Sequence, residues 1–76
     1  MEMNFENQNW IINHMWDDAD GNPTQWIFDK GEEFPYYIDY IEAIEKYEVT
    51  HKYRRLYQSN LFDNCVRFIE RIKNDF

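Results

Sequence analysis

The chain predicts an α+β fold, with an N-terminal β-hairpin packed on two or three C-terminal helices. Three observations carry that expectation: two early runs alternate with a period of two, a turn-forming segment separates them, and apolar residues recur at helical spacing afterwards. Seventy-six residues make one small domain, 1–76, since chains usually divide only beyond a few hundred residues. Mean hydropathy of −0.88 with 43% hydrophobic residues and only two Gly and two Pro excludes collagenous, low-complexity and disordered classes.

Residues 1–9, MEMNFENQN, are polar and rich in Asn, and read as a frayed lead-in. The run WIINHMW over 10–16 sets Trp10, Ile12, His14 and Trp16 against Ile11, Asn13 and Met15. TQWIFDK over 24–30 likewise puts Trp26 and Phe28 on one side. Both suit strands. Between them DDADGNP supplies the Asp20-Gly21 pair for positive φ, Asp side chains for turn bonds and Pro23 as a block on pairing, so a hairpin connection is expected. A two-stranded ribbon is marginal in water and requires an apolar support from the rest of the chain.

Over 32–48, EEFPYYIDYIEAIEKYE reads as a helix, with Glu32 and Glu33 at its positive end and Pro35 in its first turn. Steps of 100° gather Phe34, Tyr37, Ile38, Ile41 and Ile44 in one band and Tyr36, Tyr40, Ala43 and Tyr47 in a second. Such a helix is either covered on two sides within the domain or shows the tyrosine band to a partner. Residues 50–58 carry Tyr53, Leu56 and Tyr57 at helical spacing and read as helix, although YEVTHKY alternates enough for a strand. Ser59 or Asn60 caps a last helix whose stripe is Leu61, Cys65, Phe68 and Ile72, widened by Phe62 and Ile69, with Arg67, Glu70, Arg71 and Lys73 outward.

Fifteen acids face eight bases, and the charge is polarised: residues 1–48 carry −10 and residues 49–76 carry +3. Net acidity repels phosphate, so direct binding to nucleic acid or an anionic membrane is not expected unless the basic last third acts alone. KYRRLY at 52–57 mixes bases with rings as stacking surfaces do, but its bases are expected to pair with Glu42, Glu45 and Glu48. Fifteen rings make up 20% of the chain. At about 150–250 Å² each they demand more area than so small a core provides, so some should reach the surface.

Chemistry is mostly absent. Two glycines ten residues apart make neither a phosphate loop nor a dinucleotide fingerprint. A calcium loop through Asp18, Asp20 and Gly21 has Trp16 where its first oxygen ligand belongs and Ile27 where its bidentate Glu belongs. His14, His51 and Cys65 show no zinc spacing. His14 is expected to bond the turn carboxylates, His51 to lie on the surface, and Cys65 to be a buried thiol. No catalytic residue, metal or cofactor is expected, nor an enzyme.

One cysteine, no apolar run of 18 residues and no basic-apolar leader suit a cytoplasmic protein without a membrane segment. The expected function is stoichiometric binding: carboxylates and tyrosines occupying the basic, often nucleic-acid-binding, surface of a protein partner, as nuclease inhibitors and phage-encoded antagonists of host defence do. The residues expected to do so are Asp17, Asp18, Asp20, Asp29, Glu32, Glu33, Tyr36, Asp39, Tyr40, Glu42 and Tyr47. The alternative is a small accessory protein whose exposed rings form a homodimer.

Overall fold

The computed structural model describes residues 10–74, so the expected lead-in at 1–9 lies outside the described residues. Five strands, β1 (Trp10–Ile12), β2 (Gln25–Phe28), β3 (Tyr36–Ile41), β4 (Lys46–His51) and β5 (Arg54–Ser59), precede one helix, α1 (Phe62–Asn74). The strands form one antiparallel sheet in sequence order, each pairing with the next.

This overturns the expected hairpin on two or three helices. β1 and β2 do pair as a hairpin, but they form one side of a five-stranded sheet, and β1 stops at Ile12. His14–Trp16 is a 3₁₀ turn and Trp16 is 62% exposed. Residues 32–48 are no helix: they contain β3, a 3₁₀ turn at Glu42–Ile44 and the start of β4. Residues 50–58 belong to β4, a tight turn and β5. Tyr, Ile, Val and Thr concentrate in YYIDYI and KYEVTH, where branched and aromatic side chains pack better on a pleated surface than against a helical turn.

The reversals use left-handed backbone at residues other than glycine. Glu45 (φ 52°) turns the chain from the 3₁₀ segment into β4, and Lys52 (φ 52°) with Tyr53 (φ 65°) shows the two positive φ values of a type I′ turn between β4 and β5. The register slips between Val49 and Thr50, where Tyr57 and Arg55 are the successive partners on β5 and Leu56 is the extra residue.

Strand alternation then separates two faces. One row runs Ile12, Trp26, Ile38, Val49, Tyr57 across all five strands, flanked by Trp10, Phe28, Tyr36, His51, Arg54. α1 covers this face. Phe28, Ile38 and Val49 meet Cys65, Val66 and Ile69 at 2% exposure or less, with Trp10, Trp26, Tyr36, Tyr47, Tyr57, Phe62 and Phe68 packed around them. The ring excess is thus absorbed largely as the margin of the core. Phe62 lies among Trp10, Trp26 and Tyr47 with centroids 5.9, 4.7 and 5.6 Å away, and Tyr57 stacks on Phe68 at 4.6 Å.

The last helix is present, with its buried arc turned from the expected stripe. Val66 is fully buried, whereas Leu61 precedes the helix and is 55% exposed. Ser59 Oγ accepts the Leu61 N–H at 3.1 Å and an Asn64 Nδ2 hydrogen bond at 2.9 Å, which secures the turn into α1.

Candidate functional site

In an antiparallel meander alternate connections leave from the same end of the sheet. The β1–β2 connection (13–24) and the β3–β4 connection (42–45) therefore meet, and both are acidic. In the first, Asn13 Nδ2 donates to Gln25 Oε1 at 2.7 Å, and Asp18 Oδ1 accepts the N–H groups of Asp20 and Asn22 at 2.9 and 2.8 Å. Gly21, at φ 82°, completes this side-chain turn. The Asn22 N–H, helped by bonds from the Asp20 N–H, the Asn22 side chain and the Gly21 N–H, holds the Asp18 carboxyl below its ordinary value against desolvation. Thr24 Oγ1 donates to Trp16 O, and Tyr40 N donates to Thr24 O at 2.8 Å, fastening the connection to β3.

The result is an open hollow of about 480 Å³ lined by Asp18, Thr24, Tyr40, Glu42, Ala43 and Glu45. Asp18 and Glu42 are 24 positions apart in the chain. Asp20 is exposed in the same connection, and Asp17 Oδ2 contacts His14 Nδ1 at 2.9 Å, the histidine–carboxylate bond expected there. Among the described residues none of Asp18, Asp20, Glu42 and Glu45 is ion-paired, whereas Asp29, Glu48 and Asp63 are.

A second acidic feature lies on the face that α1 leaves uncovered. Gln25, Asp39, Glu48 and Gln58 stand in one row across β2 to β5. Gln25 Nε2 donates to Asp39 Oδ1 at 2.8 Å, and Gln58 Nε2 donates to Glu48 Oε2 at 2.9 Å. The two carboxylates are direct cross-strand partners. Burial first, and then the charge of Glu48, push the Asp39 carboxyl above its ordinary value, with the Gln25 bond opposing them. Arg55 approaches Glu48 from the far side at 3.4 Å. The neighbouring row, Ile11, Ile27, Tyr37, Thr50, Arg55, gives this face an apolar strip.

The expected partner-binding residues are therefore divided. Asp17, Asp18, Asp20, Tyr40 and Glu42 gather at the acidic end, and Asp39 stands on the uncovered face. Asp29, Glu32 and Glu33 sit at the opposite end, in the β2–β3 connection, where Lys73 Nζ reaches Asp29 at 2.6 Å. Tyr36 is on the helix-covered face, stacked on His51 at 3.9 Å. His51 is half-buried, not a surface residue. Tyr47 packs against Trp26, Tyr40 and Phe62, and burial raises its phenol above the ordinary value. The supposed tyrosine band is thus no helix surface, since Tyr36 and Tyr47 belong to the rim of the core.

Glu45, Glu48 and Thr24 were missed. A reading of 36–51 as a hairpin about residues 42–45 would have found the two glutamates. Of the KYRRLY bases, Arg55 makes the expected contact with Glu48, but Lys52 lies over the Phe34 ring at 5.2 Å and Arg54 has no ion pair among the described residues. Burial pushes the Cys65 thiol up to about 11, and its Sγ lies 3.7 Å from Tyr47 O. Among the described residues no group of three or more His, Cys, Asp or Glu side chains is placed to hold a metal ion, and no helix is long and apolar enough to cross a membrane. No protein-family model, curated protein or solved structure matches the chain.

Proposed function

We propose that this is a small acidic binding protein, without catalytic machinery, that occupies a basic surface of a protein partner stoichiometrically in the cytoplasm. The observation that supports it is the acidic end: Asp18, Glu42 and Glu45 surround one open hollow, with no ion pair to neutralise them among the described residues. Exposed carboxylates left without a counter-charge at one end of the molecule present a surface that a cationic partner complements. Tyr40 and Ala43 line the same hollow and offer apolar contact to the stem of an incoming Lys or Arg. A surface of this charge also competes with phosphate for the same bases, which makes nucleic-acid-binding proteins the partner class and blockade the consequence.

Capture from cell lysate tests this when wild type is compared with a Glu42→Lys/Glu45→Lys variant. Basic proteins should be retained by wild type, released by moderate salt and lost from the variant, because exposed charges are screened beyond about 8 Å at physiological ionic strength. Retention of the same proteins by both would overturn the proposal.

A further inference from the structure

The end of the sheet opposite the acidic hollow carries the β4–β5 turn, and this turn is built at a cost. Lys52 and Tyr53 both hold positive φ (52° and 65°) where Asn-Gly is the favoured pair. Tyr53 gains no packing in return, being 100% exposed. A strained turn that presents a bare ring is explained by what the ring meets outside the domain. Its flanks are cationic: Lys52, which lies over the Phe34 ring, and Arg54 stand on either side of Tyr53, while Arg55 is taken up by Glu48. Lys52 and Tyr53 line the notch beneath together with Glu33, Phe34, Pro35 and Tyr37, so one carboxylate stands beside the two bases of the tip.

The chain also contains the complement of this tip. Its acidic hollow, about 480 Å³ and open to solvent, leaves room for a protruding group. Glu42, Glu45 and Asp18 line it as acceptors for a tyrosine hydroxyl, an ammonium and a guanidinium, over Tyr40 and Ala43. We infer that the Lys52-Tyr53-Arg54 tip of one copy docks into the acidic hollow of a second copy.

This rests on the reading of the acidic end as a binding surface and names an occupant for it. The net charge of −7 opposes the approach of two copies. Yet screening acts beyond about 8 Å, the molecule is 38 Å long, and the charges that touch are of opposite sign. Tip and hollow are different surfaces at opposite ends of one sheet, so the contact is heterologous and propagates head to tail unless a ring closes.

Sedimentation velocity with two variants tests it. Tyr53→Asn/Arg54→Glu removes the tip, with Asn chosen because it tolerates left-handed backbone; Glu42→Lys/Glu45→Lys removes the hollow. Wild type should associate beyond the dimer as concentration rises, each variant alone should be monomeric, and an equimolar mixture should form a 1:1 dimer and nothing larger, because the mixture retains one intact tip and one intact hollow. A wild type that stays monomeric to millimolar concentration overturns the inference, as does a tip variant that associates like wild type or a mixture that fails to pair. A synthetic Lys/Arg-rich peptide, titrated in parallel, separates the two ideas. If wild type is monomeric but binds the peptide and the hollow variant does not, self-docking falls while the acidic end remains a site for basic proteins. If the peptide does not bind either, both fall.

Discussion

On the helix-covered face of the sheet Ile38 and Val49 pair across β3 and β4 and are wholly buried, while their immediate neighbours Asp39 and Glu48, on the other face, pair as like charges. The same two strands supply both pairs. Alternation alone places them on opposite sides, so the backbone that secures the core also holds two carboxylates together. The covered face accounts for why the domain folds; the uncovered face and the acidic end carry features that folding does not require.

The comparison breaks most visibly in the core. Ile38→Ala and Ile69→Ala should each cost about 2–5 kcal/mol, read as a lowered urea midpoint, while Ile27→Ala on the uncovered face should cost about 1 kcal/mol by its partial burial. Cys65 should report the same difference. With its thiol buried and pushed up to about 11, it should resist a thiol reagent at pH 8 in the native protein and react at once in denaturant. Equal losses at Ile27 and Ile38 would mean that the uncovered face is also packed.

The tyrosines come next. Tyr47→Ala opens the space between Trp26 and Phe62 and should cost about 2 kcal/mol or more, whereas Tyr40→Ala, beside the hollow, should cost less and weaken partner binding. Thermal melts and binding titrations on the two variants decide between a core ring and a surface ring.

A smaller effect, opposite in sign, is expected at Asp39. Asn retains an oxygen for the Gln25 bond and removes the like charge facing Glu48, so Asp39→Asn should stabilise by about 0.2–1 kcal/mol at neutral pH. The raised native value means that the folded state holds the proton more tightly. The penalty of ionised Asp39 is thus complete above its native value and absent below its ordinary value of 3.8. Urea midpoints of wild type and variant should separate as pH rises through that window and converge below it.

The smallest stability effect belongs to the acidic end. Reversing Asp20, Glu42 or Glu45 should change stability by no more than about 0.5 kcal/mol, and the variants should fail chiefly in partner association.

The last helix was legible because Cys65, Phe68, Ile69 and Ile72 recur at helical spacing in a segment without turn residues. The first hairpin was legible from Asp20-Gly21 and Pro23. The 36–51 hairpin was hidden by arithmetic: Tyr36 and Tyr40 are four apart, an even number, and share a face in strand and helix alike. Its turn is marked by Glu45, and the next turn by Lys52-Tyr53, where Gly or Asn would have announced left-handed backbone. Leu61 looked like the head of the apolar stripe, but Ser59 bonds the Leu61 N–H before the helix begins and Val66 takes the buried place.

The sequence by itself determined the acidity of the chain, its charge polarity from front to back, the ring content that builds the rim of the core, and the absence of a phosphate loop or paired metal ligands. Only the tertiary structure decided which carboxylates share a surface. Asp29, Glu32 and Glu33 follow Asp18 closely in sequence yet lie at the other end of the sheet, while Glu42 and Glu45 join Asp18. Charge is a property of each residue, whereas proximity depends on where the chain reverses. Those reversals were selected by strand pairing and by burial beneath α1, whose gains come from residues far apart along the chain.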